Sequence, residues 1–262
     1  MAELFGKETG VSGGRGGSMH LFDRDTHFMG GYAIVGGQLP LATGAAYALK
    51  YQGKKGVVVC QMGDATTNIG AWHESLNLAA LWDLPVIFLV VNNGYGMGTT
   101  VEEGAAEPEL YKRGSAFRMH GERVDGRDVL AMRDAVLRLR KRAEEEHKPA
   151  ILEAMSFRFE GHSVIDADKY RDTEEIKKGR SEDPIKLFVS DLLEAKLVDK
   201  AWIEAITDRV NHEVQEAIDF AEQSADPAFE TLYDAMYATP VLNTPGRGEA
   251  LELAQLLQSR AA

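Results

Sequence analysis

The stretch that decides the fold is residues 57–93, which read VVVCQMGDATTNIGAWHESLNLAALWDLPVIFLVVNN. Its ends are apolar runs of strand length at 57–62 and 86–91, rich in valine and other β-formers. Between them the sequence predicts a turn at 63–67 and a helix over about 69–82. Two short strands on either side of such a helix are typical of a right-handed parallel βαβ crossover.

The alternation of strands and helices continues on both sides of this unit. Small and apolar residues predict a helix over 41–51, and apolar side chains at helical spacing predict another over about 128–146. A further strand is expected at 149–154. Alternating strands and helices predict an α/β fold with an open, doubly wound parallel sheet.

The composition changes after residue 156. Residues 157–183 are charged and poor in aliphatic side chains, which predicts a long loop. Helices are predicted at 184–195 and 199–223. The second carries an apolar stripe, which we interpret as packing on its own domain, with partner binding as the alternative. We expect an α/β domain over 1–183 that includes the loop, and a helical extension over 184–262 packed on it.

Composition and charge exclude several classes of function. The 262 residues carry a formal net charge of −12, without a Lys/Arg run dense enough to bind nucleic acid. No segment reaches the ~18 apolar residues of a membrane span, and the N-terminus lacks the apolar stretch of a signal peptide. The single cysteine, Cys60, lies in a predicted core strand and rules out a disulfide framework. We therefore expect a cytoplasmic protein that binds neither nucleic acid nor membrane.

Polar side chains follow both strands of the βαβ unit. Asp64 ends the first strand and Asn93 ends the second, so both are expected at the carboxyl edge, where open α/β sheets bind ligands. The N-terminus of the intervening helix faces this edge and favours phosphate. Carboxylate and amide oxygens are hard ligands that suit Mg²⁺. The spacing predicts a metal–diphosphate site, although each residue taken singly is more often ordinary loop chemistry.

These residues carry a family resemblance. Gly63-Asp64-Ala65, the helix and Asn92-Asn93 resemble the Gly-Asp-Gly…Asn-Asn motif of thiamin-diphosphate enzymes. Further stretches resemble, in order, the α subunits of 2-oxoacid dehydrogenase E1 components: Gly16–His20, Ile34–Gly36, Tyr95–Thr99, Tyr111–Gly114, Val124–Gly126, Gly161–Ser163 and Tyr170–Arg171. The resemblance runs from about residue 3 to beyond 230, and Met19-His20 with Gly161–Ser163 favours the pyruvate branch over the branched-chain branch.

The resemblance implies a role for individual residues of this chain. Mg²⁺ would be held by the side chains of Asp64 and Asn93 and by the main-chain carbonyl of Tyr95. The residues that would contact thiamin diphosphate are Gly63, Ala65 and Asn68 at the diphosphate, Ala33 and Val35 through backbone atoms at the aminopyrimidine, and Ser163 on the active-site loop.

The resemblance also implies two catalytic histidines. His20 and His162 match the family's active-site histidines and would donate protons while the cofactor serves as electron sink. Ser163 matches a serine that is phosphorylated in mitochondrial relatives. The loop is one residue shorter here, and Lys169 stands about where their second phosphorylated serine would be. We interpret Ser163 as an active-site-loop hydroxyl.

The function implied by the resemblance is the α subunit of a heteromeric pyruvate dehydrogenase E1. Two α and two β subunits would decarboxylate pyruvate oxidatively and pass the acetyl group to the lipoyl group of an E2 acetyltransferase. The β subunit would supply the glutamate that activates the cofactor, so this chain should be inactive alone. The alternatives are an E1 α subunit for branched-chain 2-oxoacids or acetoin, and a non-catalytic assembly subunit.

Two features depart from the family. Ala65 replaces the third residue of Gly-Asp-Gly, which costs ~1 kcal/mol if the backbone needs a positive φ and nothing if it is helical. Family members usually carry a further N-terminal segment before the position of Met1, with a Tyr-Arg pair that contacts the diphosphate. We expect this chain alone to bind the cofactor more weakly, because a charge-assisted hydrogen bond contributes ~1.5–3 kcal/mol.

Overall fold

A computed structural model of the protein describes residues 1–231. The described residues form two compact units, one of Ile34–Ile203 and one of Met1–Ala33 together with residues 204–231. Within the smaller unit, Lys7 forms an ion pair with Asp226 at 2.8 Å. These units divide the chain differently from the predicted domains, 1–183 and 184–262. The predictions for residues beyond 231 lie outside the described residues.

A four-stranded parallel sheet forms the centre of the larger unit, in the order β1-β2-β6-β5. Its strands are β1 (Val58–Gly63), β2 (Val86–Asn92), β5 (His120–Asp125) and β6 (Ala150–Met155). A two-stranded antiparallel ribbon, β3 (Tyr95–Gly96) and β4 (Thr99–Thr100), follows β2. The central strands β2 and β6 are buried along almost their whole length, which explains why they read as near-continuous apolar runs.

Helices alternate with the strands along the chain and continue after the last strand. The α-helices are α1 (Gln38–Tyr51), α2 (Gly70–Leu81), α3 (Val101–Gly104), α4 (Val129–Glu146), α5 (Thr173–Ser181), α6 (Pro184–Glu194) and α7 (Lys200–Gln223). Short 3₁₀ segments cover Gly17–Met19, Asp64–Asn68, Leu110–Phe117 and Phe229–Thr231. None of the helices described in residues 1–231 has the length and apolarity that a membrane crossing needs.

Apolar side chains pack on both faces of the sheet. On one face, α1 and α2 contribute Leu39 and Trp72 to a core that includes Phe88. Trp72 meets Phe88 edge-on, with 5.9 Å between ring centroids. On the other face, Leu139 of α4 joins a second core with Leu152 of β6. Helices on both faces of a parallel sheet confirm the predicted doubly wound α/β fold.

Helix α5 lies within residues 157–183, so the prediction of a loop through this whole segment was wrong. The helix is polar, and charge and capping specify its ends. Asp172 accepts a hydrogen bond from the backbone N–H of Glu174, and Lys178 and Arg180 lie in the last turn. A search for apolar periodicity misses a helix of this kind.

Strand β5 has no counterpart among the predicted strands. Its sequence, HGERVD, contains a single β-branched residue, Val124, and its side chains are exposed or half-buried. The strand lies at the edge of the sheet and pairs with β6 alone. An edge strand has less apolar surface to bury, so its pattern is weak in the sequence.

Cys60 is buried in β1, as predicted. Burial raises the pKa of its thiol to about 12. Because the thiolate is the reactive form, we expect no reaction of the folded chain with an aromatic disulfide reagent near the ordinary thiol pKa of ~8.5. One equivalent should react after unfolding in guanidinium, followed by absorbance. Reaction of the folded chain at the rate of a small free thiol would contradict the buried position.

Candidate metal and diphosphate site

Parallel pairing places Asp64 and Asn93 at the same edge of the sheet. The register of β1 with β2 ends with Gly63 opposite Val91. Asp64 is the next residue after β1, and Asn93 is the next residue after β2. Both side chains therefore stand at the carboxyl ends of neighbouring parallel strands, where open α/β sheets bind ligands.

Asp64 has a buried carboxylate oxygen that no described residue satisfies. The residue is 3% exposed, and its Oδ2 is buried without a hydrogen-bond partner among the described residues. Burial raises the pKa of this carboxyl, and nearby backbone N–H groups and the charge of Arg158 offset the rise only in part. An unpartnered buried carboxylate oxygen destabilises the fold unless something satisfies it. A bound metal ion would do so.

A small cavity lies beside Asp64. Its volume is about 30 Å³, and its lining includes Ala65, Asn68, Gly96 and Thr99. That volume exceeds the ~10–15 Å³ that one water molecule needs, so the space can hold water or an ion next to the carboxylate. A Cβ atom on Gly96 would lie 2.5 Å from the Cβ of Ala65, so glycine is required at this position.

Ala65 departs from the family motif without a backbone cost. It lies in the 3₁₀ segment Asp64–Asn68 and is not among the residues with positive φ. Gly63 before it is extended, with φ −80° and ψ 164°. Of the two alternatives that the sequence left open, the helical one is correct, and alanine loses nothing here.

Arg113 holds the turn between β1 and α2. Its Nη1 donates to the carbonyl oxygen and the hydroxyl of Thr67, at 2.9 and 3.0 Å, and to Oδ1 of Asn68 at 2.9 Å. The Thr67 hydroxyl donates in turn to the carbonyl of Asp64 at 2.8 Å. Because the side-chain oxygen of Asn68 accepts the hydrogen bond from Arg113, the side-chain NH₂ group of Asn68 points the other way, where it can donate to an anion. Sequence reasoning quoted Arg113 only within the motif at 111–114 and missed this role.

A tight turn follows β2. Oδ1 of Asn92 accepts a hydrogen bond from the N–H of Gly94 at 3.0 Å, and Oδ1 of Asn93 accepts one from the N–H of Tyr95 at 3.2 Å. Gly94 has φ +84°, in the left-handed region that favours glycine. These two hydrogen bonds fix the backbone conformation of the turn that contains Asn93 and Tyr95.

Arg171 anchors the loop at 157–172. Its side chain is 1% exposed and forms an ion pair with Asp168. The guanidinium also donates to the carbonyl oxygens of Arg158 and Glu160. Its central carbon lies 5.2 Å from the centroid of the Phe157 ring. One buried cation therefore ties together both ends of this irregular segment.

His162 and Ser163 are exposed on this loop. The backbone N–H of His162 donates to Oδ2 of Asp166 at 2.7 Å, and its ring Nδ1 lies 3.5 Å from Nη1 of Arg158. Asp166 also accepts the hydroxyl of Tyr170 at 2.6 Å. This bond and the backbone N–H groups lower the pKa of Asp166 to about 2, so it stays ionised at neutral pH. The carboxylate orders the backbone that carries the predicted catalytic imidazole.

Tyr95 connects the strand edge with α5. Its hydroxyl donates to Oε2 of Glu175 at 3.0 Å, and its ring centroid lies 5.8 Å from that of Tyr170. Burial raises the pKa of the Tyr95 hydroxyl, and the bond to Glu175 raises it further. Tyr95, whose main-chain carbonyl is predicted to bind the metal, therefore also holds α5 through its side chain. The sequence does not reveal this link.

The remaining predicted site residues lie elsewhere in the chain. His20 and Ala33 belong to the smaller unit and are exposed there. Val35 is exposed in the larger unit, next to Gly36, which has φ +77° and leaves room for Ile69 at the start of α2. The structure thus brings together at one sheet edge Gly63, Asp64, Ala65, Asn68, Asn93 and Tyr95. Their roles, and those of His20, Ala33, Val35, His162 and Ser163, stay predictions.

A buried carboxylate organises the glycine-rich loop before the first predicted histidine. Glu3 is 2% exposed and accepts four backbone hydrogen bonds. The N–H groups of Ser12, Gly14, Gly16 and Gly17 donate to it at 2.8, 3.0, 2.6 and 3.2 Å. Burial acts to raise the pKa of Glu3, but the four bonds lower it on balance. Sequence reasoning treated this stretch as a loop and did not single out Glu3.

Glu3→Gln is expected to destabilise the smaller unit. Glutamine offers one acceptor oxygen, and its amide nitrogen faces backbone donors, so we expect a loss of about 2–4 kcal/mol in the free energy of unfolding. The lowered pKa means that this stabilisation is present above the ordinary carboxyl pKa of 4.5 and is lost as the pH falls through the folded value. Urea unfolding at neutral pH, with the exposed Glu8→Gln as control, measures it. Equal midpoints for both variants would contradict the role of Glu3.

Comparison with known proteins finds many similar curated relatives, and three of them illustrate the match. All three are pyruvate dehydrogenase E1 component α subunits. The one from Rickettsia bellii (strain RML369-C) is 40% identical over 237 residues, covering 90% of this chain and 73% of the relative. That from Rhizobium meliloti (strain 1021) is 41% identical over 239 residues, covering 89% and 67%. The chloroplastic subunit α-3 of Arabidopsis thaliana is 40% identical over 246 residues, covering 92% and 58%.

A family model matches most of the chain as well. The model for the dehydrogenase E1 component matches residues 1–230. The matched span contains both strand ends of the site, the turn held by Arg113 and the loop held by Arg171. The predicted resemblance is confirmed: this chain belongs to the dehydrogenase E1 component family.

Proposed function

We propose that this chain is the α subunit of a heteromeric pyruvate dehydrogenase E1 that binds thiamin diphosphate and Mg²⁺. The observation that carries the proposal is the unpartnered, buried Oδ2 of Asp64 at the carboxyl edge of the sheet. It occurs in a chain about 40% identical to pyruvate dehydrogenase E1 α subunits. The substrate is therefore proposed to be pyruvate, a small 2-oxoacid.

The oxygen atoms proposed as ligands are of the kind that Mg²⁺ prefers. Asp64 offers a carboxylate oxygen, Asn93 an amide oxygen and Tyr95 a main-chain carbonyl, all hard donors. Within residues 1–231, no three His, Cys, Asp or Glu side chains come together as a metal site of their own. A mixed protein set that leaves positions for phosphate and water is what Mg²⁺ prefers. The cavity of about 30 Å³ beside Asp64 has room for water or an ion next to that carboxylate, and its lining includes Asn68 but neither Asn93 nor Tyr95.

The chain's own residues would bind and orient the cofactor. Thiamin diphosphate, when bound, supplies the electron sink for decarboxylation of a 2-oxoacid. The amide nitrogen of Asn68 and the N–H groups at the start of α2 would hold the diphosphate. Ala33 and Val35 would meet the aminopyrimidine through backbone atoms.

The two histidines would handle protons near the substrate. His20 and His162 would hold or donate a proton at the carbonyl oxygen of the 2-oxoacid, where negative charge must be stabilised. Ser163 adds a hydroxyl on the same loop as His162. The buried Arg171 supports this role, because it holds the loop in place.

The proposed partners are a β subunit and a lipoyl-bearing E2 acetyltransferase. We propose an assembly of two α and two β subunits, in which the β subunit completes the cofactor site and the lipoyl group accepts the acetyl group. The support is that the relatives are α subunits by name. We also propose a cytoplasmic location, on the strength of the single, buried Cys60.

Reconstitution with a cognate β subunit tests the function. Reduction of an artificial electron acceptor would be followed with pyruvate, a branched-chain 2-oxoacid and acetoin. We expect turnover with pyruvate, none with Asp64→Ala, and normal turnover with the exposed control Asp134→Ala. Preference for another substrate would replace pyruvate in the proposal. No turnover from a folded, cofactor-loaded assembly would favour a non-catalytic assembly subunit.

A further inference from the structure

Glu153 is a fully buried carboxylate in the middle of the sheet. It lies on β6 and is 0% exposed. Four donors reach it: Nδ2 of Asn92 at 2.6 Å, the N–H of Tyr111 at 3.1 Å, and Nε and Nη2 of Arg123 at 3.0 and 3.1 Å. A bidentate guanidinium and two further donors are what a buried carboxylate needs to remain in an apolar strand.

Glu153 sets the orientation of the Asn92 amide. A carboxylate accepts hydrogen bonds and does not donate, so Asn92 must turn its NH₂ group toward Glu153. The amide oxygen of Asn92 then faces the other way and accepts the N–H of Gly94 at 3.0 Å. That bond shapes the turn in which Gly94 adopts φ +84°. Asn93 and Tyr95 flank Gly94 in this turn.

Glu153 also forms a hydrogen bond to the segment that holds the turn after β1. Its bond to the N–H of Tyr111 fixes the start of the 3₁₀ segment Leu110–Phe117. Two residues later in that segment, Arg113 holds Thr67 and Asn68 in the turn after β1. One carboxylate is therefore bonded to both peptide segments that shape the sheet edge.

We propose that Glu153 is a positioning residue for the metal site. None of its four hydrogen bonds goes to a predicted ligand, and it acts through Asn92 on the turn that presents Asn93 and the carbonyl of Tyr95. The proposal rests on the proposed function, because it assumes that these two residues are ligands to Mg²⁺. Its structural part, control of the turn at Gly94, can be measured without any cofactor.

Glu153→Gln creates a conflict in either orientation of the new amide. If its NH₂ faces Asn92, the Asn92 amide must reverse and its NH₂ then meets the N–H of Gly94. In the other orientation its NH₂ meets two donors that cannot reverse, the N–H of Tyr111 and Nε of Arg123. We therefore expect the first orientation, in which the Asn92 amide reverses, to prevail. The variant keeps the size of the side chain, so a change in the turn reports the hydrogen bonding rather than lost packing.

Two measurements test the role of Glu153 on the full chain. Hydrogen exchange of the peptide that covers residues 92–98 should be about tenfold faster in Glu153→Gln, because the Gly94 N–H loses its acceptor. Titration of Mg²⁺ at saturating thiamin diphosphate should show about tenfold weaker binding. The control is Glu122→Gln, whose carboxylate pairs with Arg138 near the surface, and it should change neither quantity.

A double variant provides the rescue. The double variant Asn92→Asp, Glu153→Gln moves the carboxylate from position 153 to position 92. The new aspartate can accept hydrogen bonds from both the N–H of Gly94 and the NH₂ group of the new glutamine. Exchange protection and Mg²⁺ affinity should recover to within about threefold of the native values.

The proposal is overturned by either of two results. Glu153→Gln could lower the unfolding temperature yet leave the exchange at Gly94 and the Mg²⁺ affinity unchanged, which would make Glu153 a structural residue only. Alternatively, the double variant could fail to recover exchange protection. If the native chain binds no Mg²⁺ with thiamin diphosphate, the proposed function fails, and the exchange measurement still decides whether Glu153 controls the turn.

Discussion

Asp64→Asn is expected to abolish the stabilisation of the chain by Mg²⁺ and thiamin diphosphate while making the cofactor-free chain more stable. The native carboxylate is buried with an unpartnered oxygen, and a neutral amide of the same size is less costly to bury. We expect the free energy of unfolding without cofactor to rise by about 1–3 kcal/mol at neutral pH. Urea unfolding in the presence of a chelator measures this, with Asp134→Asn as the exposed control.

The pH dependence of the same variant follows from the raised pKa of Asp64. A raised pKa means that folding opposes ionisation, so native stability is highest below the ordinary value of 3.8 and falls as the pH rises through the folded value. The advantage of Asp64→Asn should therefore disappear at acid pH. A variant that is less stable than the native chain without cofactor would show that the carboxylate has a structural partner instead.

Arg171→Met is expected to release the loop that carries His162 and Ser163. The change leaves Asp168 without its ion pair and two carbonyl oxygens without a donor, so we expect a loss of about 3 kcal/mol in loop stability. Trypsin should cleave the variant rapidly within residues 157–172, after Arg158 or Lys169. Arg140→Met, an exposed arginine on α4, is the matched control. Cleavage of both variants at the native rate would show that Arg171 does not anchor the loop.

The part of the site that the sequence predicts follows from one topological rule. Apolar runs at 57–62 and 86–91 are strong strand signals, and parallel strands end at a common edge. The positions of Asp64 and Asn93 follow from that rule before any side-chain geometry is known. Strong apolar periodicity similarly predicts α2 and α4, whose observed bounds, Gly70–Leu81 and Val129–Glu146, lie within a residue or two of the expected ones.

The supporting residues could not be predicted in the same way. Arg113 bonds to Thr67 and Asn68, which lie 46 and 45 residues away in the sequence, so its role depends on tertiary packing. Glu153 did leave a signal, because a carboxylate inside the apolar run AILEAM must be paired if the strand is buried on both faces. The sequence could have indicated that Glu153 has a partner, but not that the partners are Asn92 and Arg123.

The apolar stripe on α7 remains a prediction. Val210 and Val214 lie on it and are 46% and 47% exposed. Ile206 and Ile218 on the same helix are half-buried. The stripe is therefore only partly buried among the described residues. Packing on its own domain stays the prediction, with partner binding as the alternative.

Calorimetric titration of thiamin diphosphate with Mg²⁺ tests the central claim most directly. The native chain and Asp64→Ala would be titrated, each alone and with a cognate β subunit, after circular dichroism shows that both are folded. We predict binding to the native chain that tightens with the β subunit and is lost in Asp64→Ala. Equal binding by both chains, or no binding by the folded native chain even with the β subunit, would contradict the assignment of Asp64 and Asn93 as a cofactor site.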